Sequence, residues 1–162
     1  MLEVQPKDSR GYFVLPQAPE QAGYYVYGVP DRGRGQFAHP ALLSVLFLIE
    51  REWQAMDDRK FGIGNISLAD GKEYPKHRGH QQGIDVDLRP VRRDKLVGQS
   101  ARVSRFDAAY DLEATTKLIR LFANHPSVSA IYFNDERVQH AIPGRVRSLV
   151  DHDDHFHVKI RI

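Results

Sequence analysis

Two short segments of this chain alternate between apolar and ionisable residues, and that alternation constrains the fold more than any other feature. Gly83 to Leu88 sets Ile84 and Val86 on one side and Asp85 and Asp87 on the other. His155, Phe156, His157 and Val158 repeat the pattern with imidazoles in place of carboxylates. Side chains two apart on a strand share a face. Each segment therefore reads as a strand with a buried apolar face and a face of Asp or His.

The rest of the chain mixes helices and strands. GYFVLP and AGYYVYG read as short strands or extended segments, and PDRGRG as a turn. The stretch 39–56 reads as the first helix, with Pro40 in its first turn and Leu42, Leu46, Leu48 and Ile49 as its apolar face. FGIGNISLADG (61–71) reads as a strand leading to a turn. A second helix is expected over 107–124, buried through Leu112, Ala114, Leu118, Leu121 and Phe122. VSAIYFN (128–134) reads as a strand, and RVRSLV and HFHVKIRI as the last extended segments. No regular βαβ alternation is present. The expected fold is α+β, with a central, mostly antiparallel sheet, flanking helices and the site on the sheet. A chain of 162 residues fits one domain, 1–162, with 1–23 as an extended N-terminal segment.

Composition narrows the chemistry. There is no cysteine, so thiol nucleophiles, zinc knuckles and iron–sulfur clusters are excluded, and any metal must be held by His, Asp or Glu. The formal charge is only +2. The densest basic run, RPVRRDK (89–95), reads as a solvated loop rather than a nucleic-acid footprint. The longest apolar run, ALLSVLFLI (41–49), is too short to span a membrane, so no membrane insertion is expected. No signal peptide is read at the N-terminus.

Five of the eight histidines fall in HRGHQQGIDVD (77–87) and DHDDHFHVKI (151–160). Gly83 permits a turn that would carry His80 back beside Asp87. Two His and one Asp, with one position left to water, is the composition of a catalytic zinc site. A bound ion would activate water and polarise a carbonyl. His155, His152 and His77 are spare imidazoles able to move the proton. The chemistry this predicts is metal-assisted hydrolysis of an amide. His39, His125 and His140 read instead as structural or exposed residues. Asp153 and Asp154 read as a solvated pair or as outer partners of the metal. Tyr24, Tyr25 and Tyr27 read as core and surface aromatics.

GHQQGIDVDLRP resembles the zinc-binding segment of the penicillin-insensitive murein endopeptidases, relatives of lysostaphin-type and D-alanyl-D-alanine peptidases. That group shares a His, six intervening residues, an Asp and a distant His-x-His. Asp85, His77 and the spacing of His152, His155 and His157 resemble the murein endopeptidase branch, and the likeness runs over about residues 24–162. The resemblance implies one zinc ion per chain on His80, Asp87 and His157, with Asp85 and Asp154 as outer partners. It implies His155 as leading general base or transition-state stabiliser, supported by His152 and His77. The implied substrates are peptidoglycan peptides, including D-alanyl–diaminopimelate bonds. Hydrolysis without an acyl-enzyme would explain penicillin insensitivity.

The implied place of action is the periplasm or cell wall. Without an export signal, three settings fit: a mature form, a phage lysis enzyme, or a toxin delivered by a secretion machine. A toxin would have an immunity or inhibitor protein as partner. Two other functions fit the same residues: a non-catalytic zinc module binding a protein or cell-wall ligand, and a D,D-carboxypeptidase or dipeptidase.

Overall fold

The computed structural model describes residues 7–75 and 79–162. Among the described residues, eight strands and three α-helices follow in the order β1 (Phe13–Val14), β2 (Tyr24–Val26), β3 (Phe37–Ala38), α1 (Pro40–Gln54), β4 (Phe61–Ile63), β5 (Asp85–Arg89), α2 (Leu112–Asn124), β6 (Val128–Tyr132), α3 (Glu136–Ala141), β7 (Val146–Arg147) and β8 (Phe156–Ile160). Six strands form one sheet in the order β2-β4-β5-β8-β6-β7. The central pairings β4–β5, β5–β8 and β8–β6 are antiparallel, and the outer pairs β2–β4 and β6–β7 are parallel. The fold is thus α+β on a mixed sheet whose middle is antiparallel. β1 and β3 form a separate two-stranded ribbon.

The alternation in β5 and β8 orients the sheet. Val86, Leu88, Phe156 and Val158 are fully buried in the main core with Leu42, Leu46 and Trp53 of α1 and Leu118 and Phe122 of α2. The Phe122 and Phe156 rings meet edge to face at 6.0 Å. Burying a side chain of this size stabilises the fold by about 1.5–3 kcal/mol. The opposite face carries Asp85, Asp87 and Arg89 from β5 and His157 and Lys159 from β8.

Helix boundaries follow their caps. His39 precedes α1, and its Nδ1 accepts a hydrogen bond from the Ala41 amide at 3.1 Å. The buried stripe is Leu42, Val45, Leu46, Ile49 and Trp53. Leu48, read above as part of it, lies off that stripe and is exposed. α2 starts later than expected, because the Asp111 side chain accepts from the Ala114 amide and ends the preceding turn. α3 was not read at all. Its six residues are too few to show a period, and it is set by the buried cap Asp135, which accepts from Arg137 N and the Tyr110 hydroxyl. Arg89 departs from the solvated-loop reading of the basic run. It ends β5, is buried, and donates to the Gly98 and Gln99 carbonyls.

Tyr24 belongs to the core, whereas Tyr25 and Tyr27 lie across Gly62 and Gly64. A Cβ on Gly64 would come within 2.4 Å of the Tyr27 ring, so only glycine lets that ring lie flat. The Arg89 guanidinium stacks over the Tyr27 ring, 3.9 Å from its centroid.

Candidate metal centre

The sheet's register builds the centre. Asp87 on β5 is the direct ladder partner of His157 on β8, and Tyr132 on β6 flanks His157 on the other side. His80 arrives from the loop before β5. Gly83 turns that loop with φ of 66°, and a Cβ there would lie 2.9 Å from the Tyr12 ring. The sequence-read turn at Gly83 is therefore where the chain reverses to bring His80 over the strand.

Three donor atoms converge. His80 Nε2 and His157 Nδ1 each lie 3.1 Å from Asp87 Oδ1. Ligands about 2.0–2.2 Å from one tetrahedral ion stand roughly 3.3–3.5 Å apart, so this set needs little movement to close on a metal. His80 and Asp87 are buried, and His157 is partly buried. His80, Asp87 and His157 are also the one group of His and carboxylate residues, among the described residues, with the geometry to hold a metal ion.

The surrounding hydrogen bonds select the nitrogens. His80 Nδ1 lies 3.0 Å from the Ile66 carbonyl, which can only accept, so Nδ1 carries a proton and Nε2 is the nitrogen turned toward Asp87. His157 Nε2 lies 2.9 Å from Asp85 Oδ1, leaving Nδ1 toward Asp87. Burial alone would lower the His157 pKa, but its hydrogen bonds to Asp85 and Asp87 outweigh burial and raise it to about 9. Burial likewise opposes ionisation of Asp87, yet hydrogen bonds from His157 and His80 hold its carboxyl well below the usual range.

The N-terminal segment braces the His80 loop. Arg10 Nη1 donates to the Gln81 carbonyl at 2.7 Å, and Nη2 donates to the Leu68 carbonyl at 3.0 Å and Ser67 Oγ at 3.1 Å. One guanidinium thus ties both arms of the segment that carries Ile66 and His80. Nothing in the sequence pattern singled out Arg10, because these partners lie 57–71 residues away.

His155 and His152 stand on the turn before β8. His155 Nδ1 is 2.8 Å from Asp154 Oδ1, and Nε2 points inward, 3.9 Å from Asp87 Oδ1. Asp154 also pairs with Arg102, and its hydrogen bond with His155 lowers its pKa to about 2. His152 Nδ1 donates to the Val150 carbonyl at 2.8 Å, and its ring lies 4.5 Å from that of His155. Burial lowers the pKa of His152 and favours its neutral form. Asp153 is held by Arg105, and both aspartates are therefore ion-paired rather than freely solvated. His77 falls outside the described residues. His39 and His125 are structural, each accepting a backbone N–H at a helix end, and His140 lies on α3.

The donors open into a cleft of about 450 Å³ whose walls include Tyr132, Val150, His152, His155 and Lys159. The arrangement suits hydrolytic chemistry: a place for a cation, an open side, and an imidazole held by a carboxylate at that side.

A model of the penicillin-insensitive murein endopeptidase family matches residues 15–162. The chain is also 27% identical, over 172 aligned positions, to the penicillin-insensitive murein endopeptidase of Yersinia enterocolitica serotype O:8 / biotype 1B. That alignment covers 91% of this chain and 61% of the relative, so the chain spans less than two thirds of the relative's length. No helix among the described residues is long and apolar enough to cross a membrane. This chain belongs to the penicillin-insensitive murein endopeptidase family.

Proposed function

We propose that the protein is a zinc-dependent endopeptidase that hydrolyses an amide bond in the stem or cross-link of peptidoglycan, such as D-alanyl–diaminopimelate. The observation that carries this reading is the convergence of His80 Nε2, His157 Nδ1 and Asp87 Oδ1 beside an oriented His155. His80, Asp87 and His157 would hold the ion, and the nitrogen and oxygen donors suit zinc. When bound, it would lower the pKa of a water and polarise the scissile carbonyl.

The remaining steps belong to the chain. His155 Nε2 accepts the proton of the attacking water and passes it to the leaving amine. Asp154 holds Nδ1, so the imidazole presents Nε2 to the cleft. His152, neutral and anchored to Val150, lines the same side and orients the reacting groups. Asp85 fixes the ring of His157 from outside. A peptidoglycan substrate implies action in the periplasm or cell wall.

The test is digestion of purified cross-linked peptidoglycan, with and without chelator, read by mass spectrometry. The expected result is conversion of dimers to monomers that stops on chelation, returns with zinc, and is absent in His157→Ala. Release of free D-alanine alone would make the protein a carboxypeptidase. No turnover by protein shown to hold its metal would identify a binding module.

A further inference from the structure

We propose that Lys159 is a specificity-determining residue whose ammonium pairs with a free carboxylate of the substrate, next to the scissile bond. This rests on the reading of the cleft as a peptidoglycan peptidase site. His155, His157 and Lys159 follow one another at two-residue spacing and share the open face. Lys159 sits one step beyond the ligand rung, between Asp85 on β5 and Ala130 on β6. Two residues of strand cover roughly 6.6–6.8 Å. An extended peptide advances at most about 3.3–3.6 Å per residue, so a carboxylate within about two residues of a carbonyl held at the donor triad reaches Lys159.

Lys159 is available for that contact. Its side chain is 45% exposed and lines the cleft. It is the one fixed positive charge among the described residues that line the cleft, where Asp85, Asp87 and Asp151 are also found. Its partner among the described residues is Asp85 Oδ2 at 3.9 Å, too long for a hydrogen bond. Asp85 Oδ1 is engaged by His157, while Oδ2 is buried and, among the described residues, accepts no hydrogen bond. The ammonium is thus drawn toward the cleft floor by a buried charge while its donors stay open to the cleft. The short side chain of Ala130 leaves room on the other flank. Peptidoglycan stem peptides carry such a carboxylate on diaminopimelate.

The experiment compares two cross-linked muropeptide dimers, one with free diaminopimelate carboxylates and one with them amidated. Wild type, Lys159→Met and Lys159→Arg are used, each with its metal content measured. Wild type is expected to prefer the free carboxylate by about tenfold in kcat/KM, mostly through KM. Lys159→Met should lose that preference yet cleave the amidated dimer as wild type does, and Lys159→Arg should keep most of it. Equal slowing of both dimers by Lys159→Met would overturn the proposal, showing that Lys159 acts through Asp85 and His157. A wild type without preference would overturn it too. Failure of wild type to cleave either dimer would instead remove the peptidase reading, and the carboxylate contact with it.

Discussion

His157 lies between two carboxylates, and that position should make metal uptake steeply dependent on pH. Its pKa in the metal-free protein is raised from 6.5 to about 9, with Asp85 and Asp87 outweighing burial. At pH 7 only about one metal-free molecule in a hundred then has His157 neutral. A metal must displace that proton before Nδ1 can donate its lone pair. Apparent affinity at pH 7 should therefore sit about a hundredfold below its value above pH 9, falling about tenfold per pH unit. Binding near pH 7 should release close to one proton. Stability of the metal-free protein should run the other way. The folded pKa exceeds the unfolded one, so the contribution is complete below pH 6.5 and is lost as pH rises through 9, amounting to about 3 kcal/mol. Competition against a chromophoric chelator from pH 6 to 9.5, with calorimetry in two buffers, measures the first effect. Denaturant melts of metal-free protein measure the second. Asp85→Asn should move the window down by about one pH unit, since one of two carboxylates is gone. An affinity that is flat between pH 7 and 9, with no proton released, would refute the assignment of His157 as a ligand held between these groups.

Three further outcomes follow from the same geometry. His155→Ala should keep its metal and lose about 10²–10⁴ in kcat, as removal of a general base does; loss of metal with activity would place His155 among the ligands instead. Arg10→Ala should stay folded, because Arg10 lies outside the main core, yet bind metal about tenfold more weakly by freeing the His80 loop; an unchanged metal affinity would show that the brace is dispensable. Gly64→Ala should destabilise the fold by about 1–3 kcal/mol, because its new methyl meets the Tyr27 ring, and chemical denaturation would show it.

What could be read from sequence was what local spacing determines. The alternation of Ile84 to Leu88 and Phe156 to Val158 gave both strands and both faces, since a period of two survives any packing. The turn at Gly83 was legible because few residues besides glycine tolerate its backbone angle. Helix ends were less legible. Asp111 stops the second helix five residues short of the expected start by taking the Ala114 amide, a choice made by one side chain. β3 spans two residues and α3 six, lengths at which no period can be recognised. Parallel pairing at both sheet edges left no trace in the residues. Around the candidate metal centre, residue types singled out His80, Asp87, His155 and His157, but their partners lay out of reach. Arg102, Arg105 and Arg10 look like ordinary surface cations until the fold brings them to Asp154, Asp153 and the His80 loop.

The ladder pairing of Asp87 with His157 also decides how the centre opens. These residues occupy neighbouring central strands, and sliding either by a single residue would turn its own ligand into the core and push Val86 or Val158 out. Such a change amounts to unfolding, so this pair should separate only when the whole domain does. His80 is different: it hangs from a loop fastened by a carbonyl and by Arg10. The centre therefore has a fixed jaw and a hinged one. Loading and loss of an ion should run through excursions of the His80 loop, at rates set by how firmly the N-terminal segment grips it rather than by the stability of the sheet.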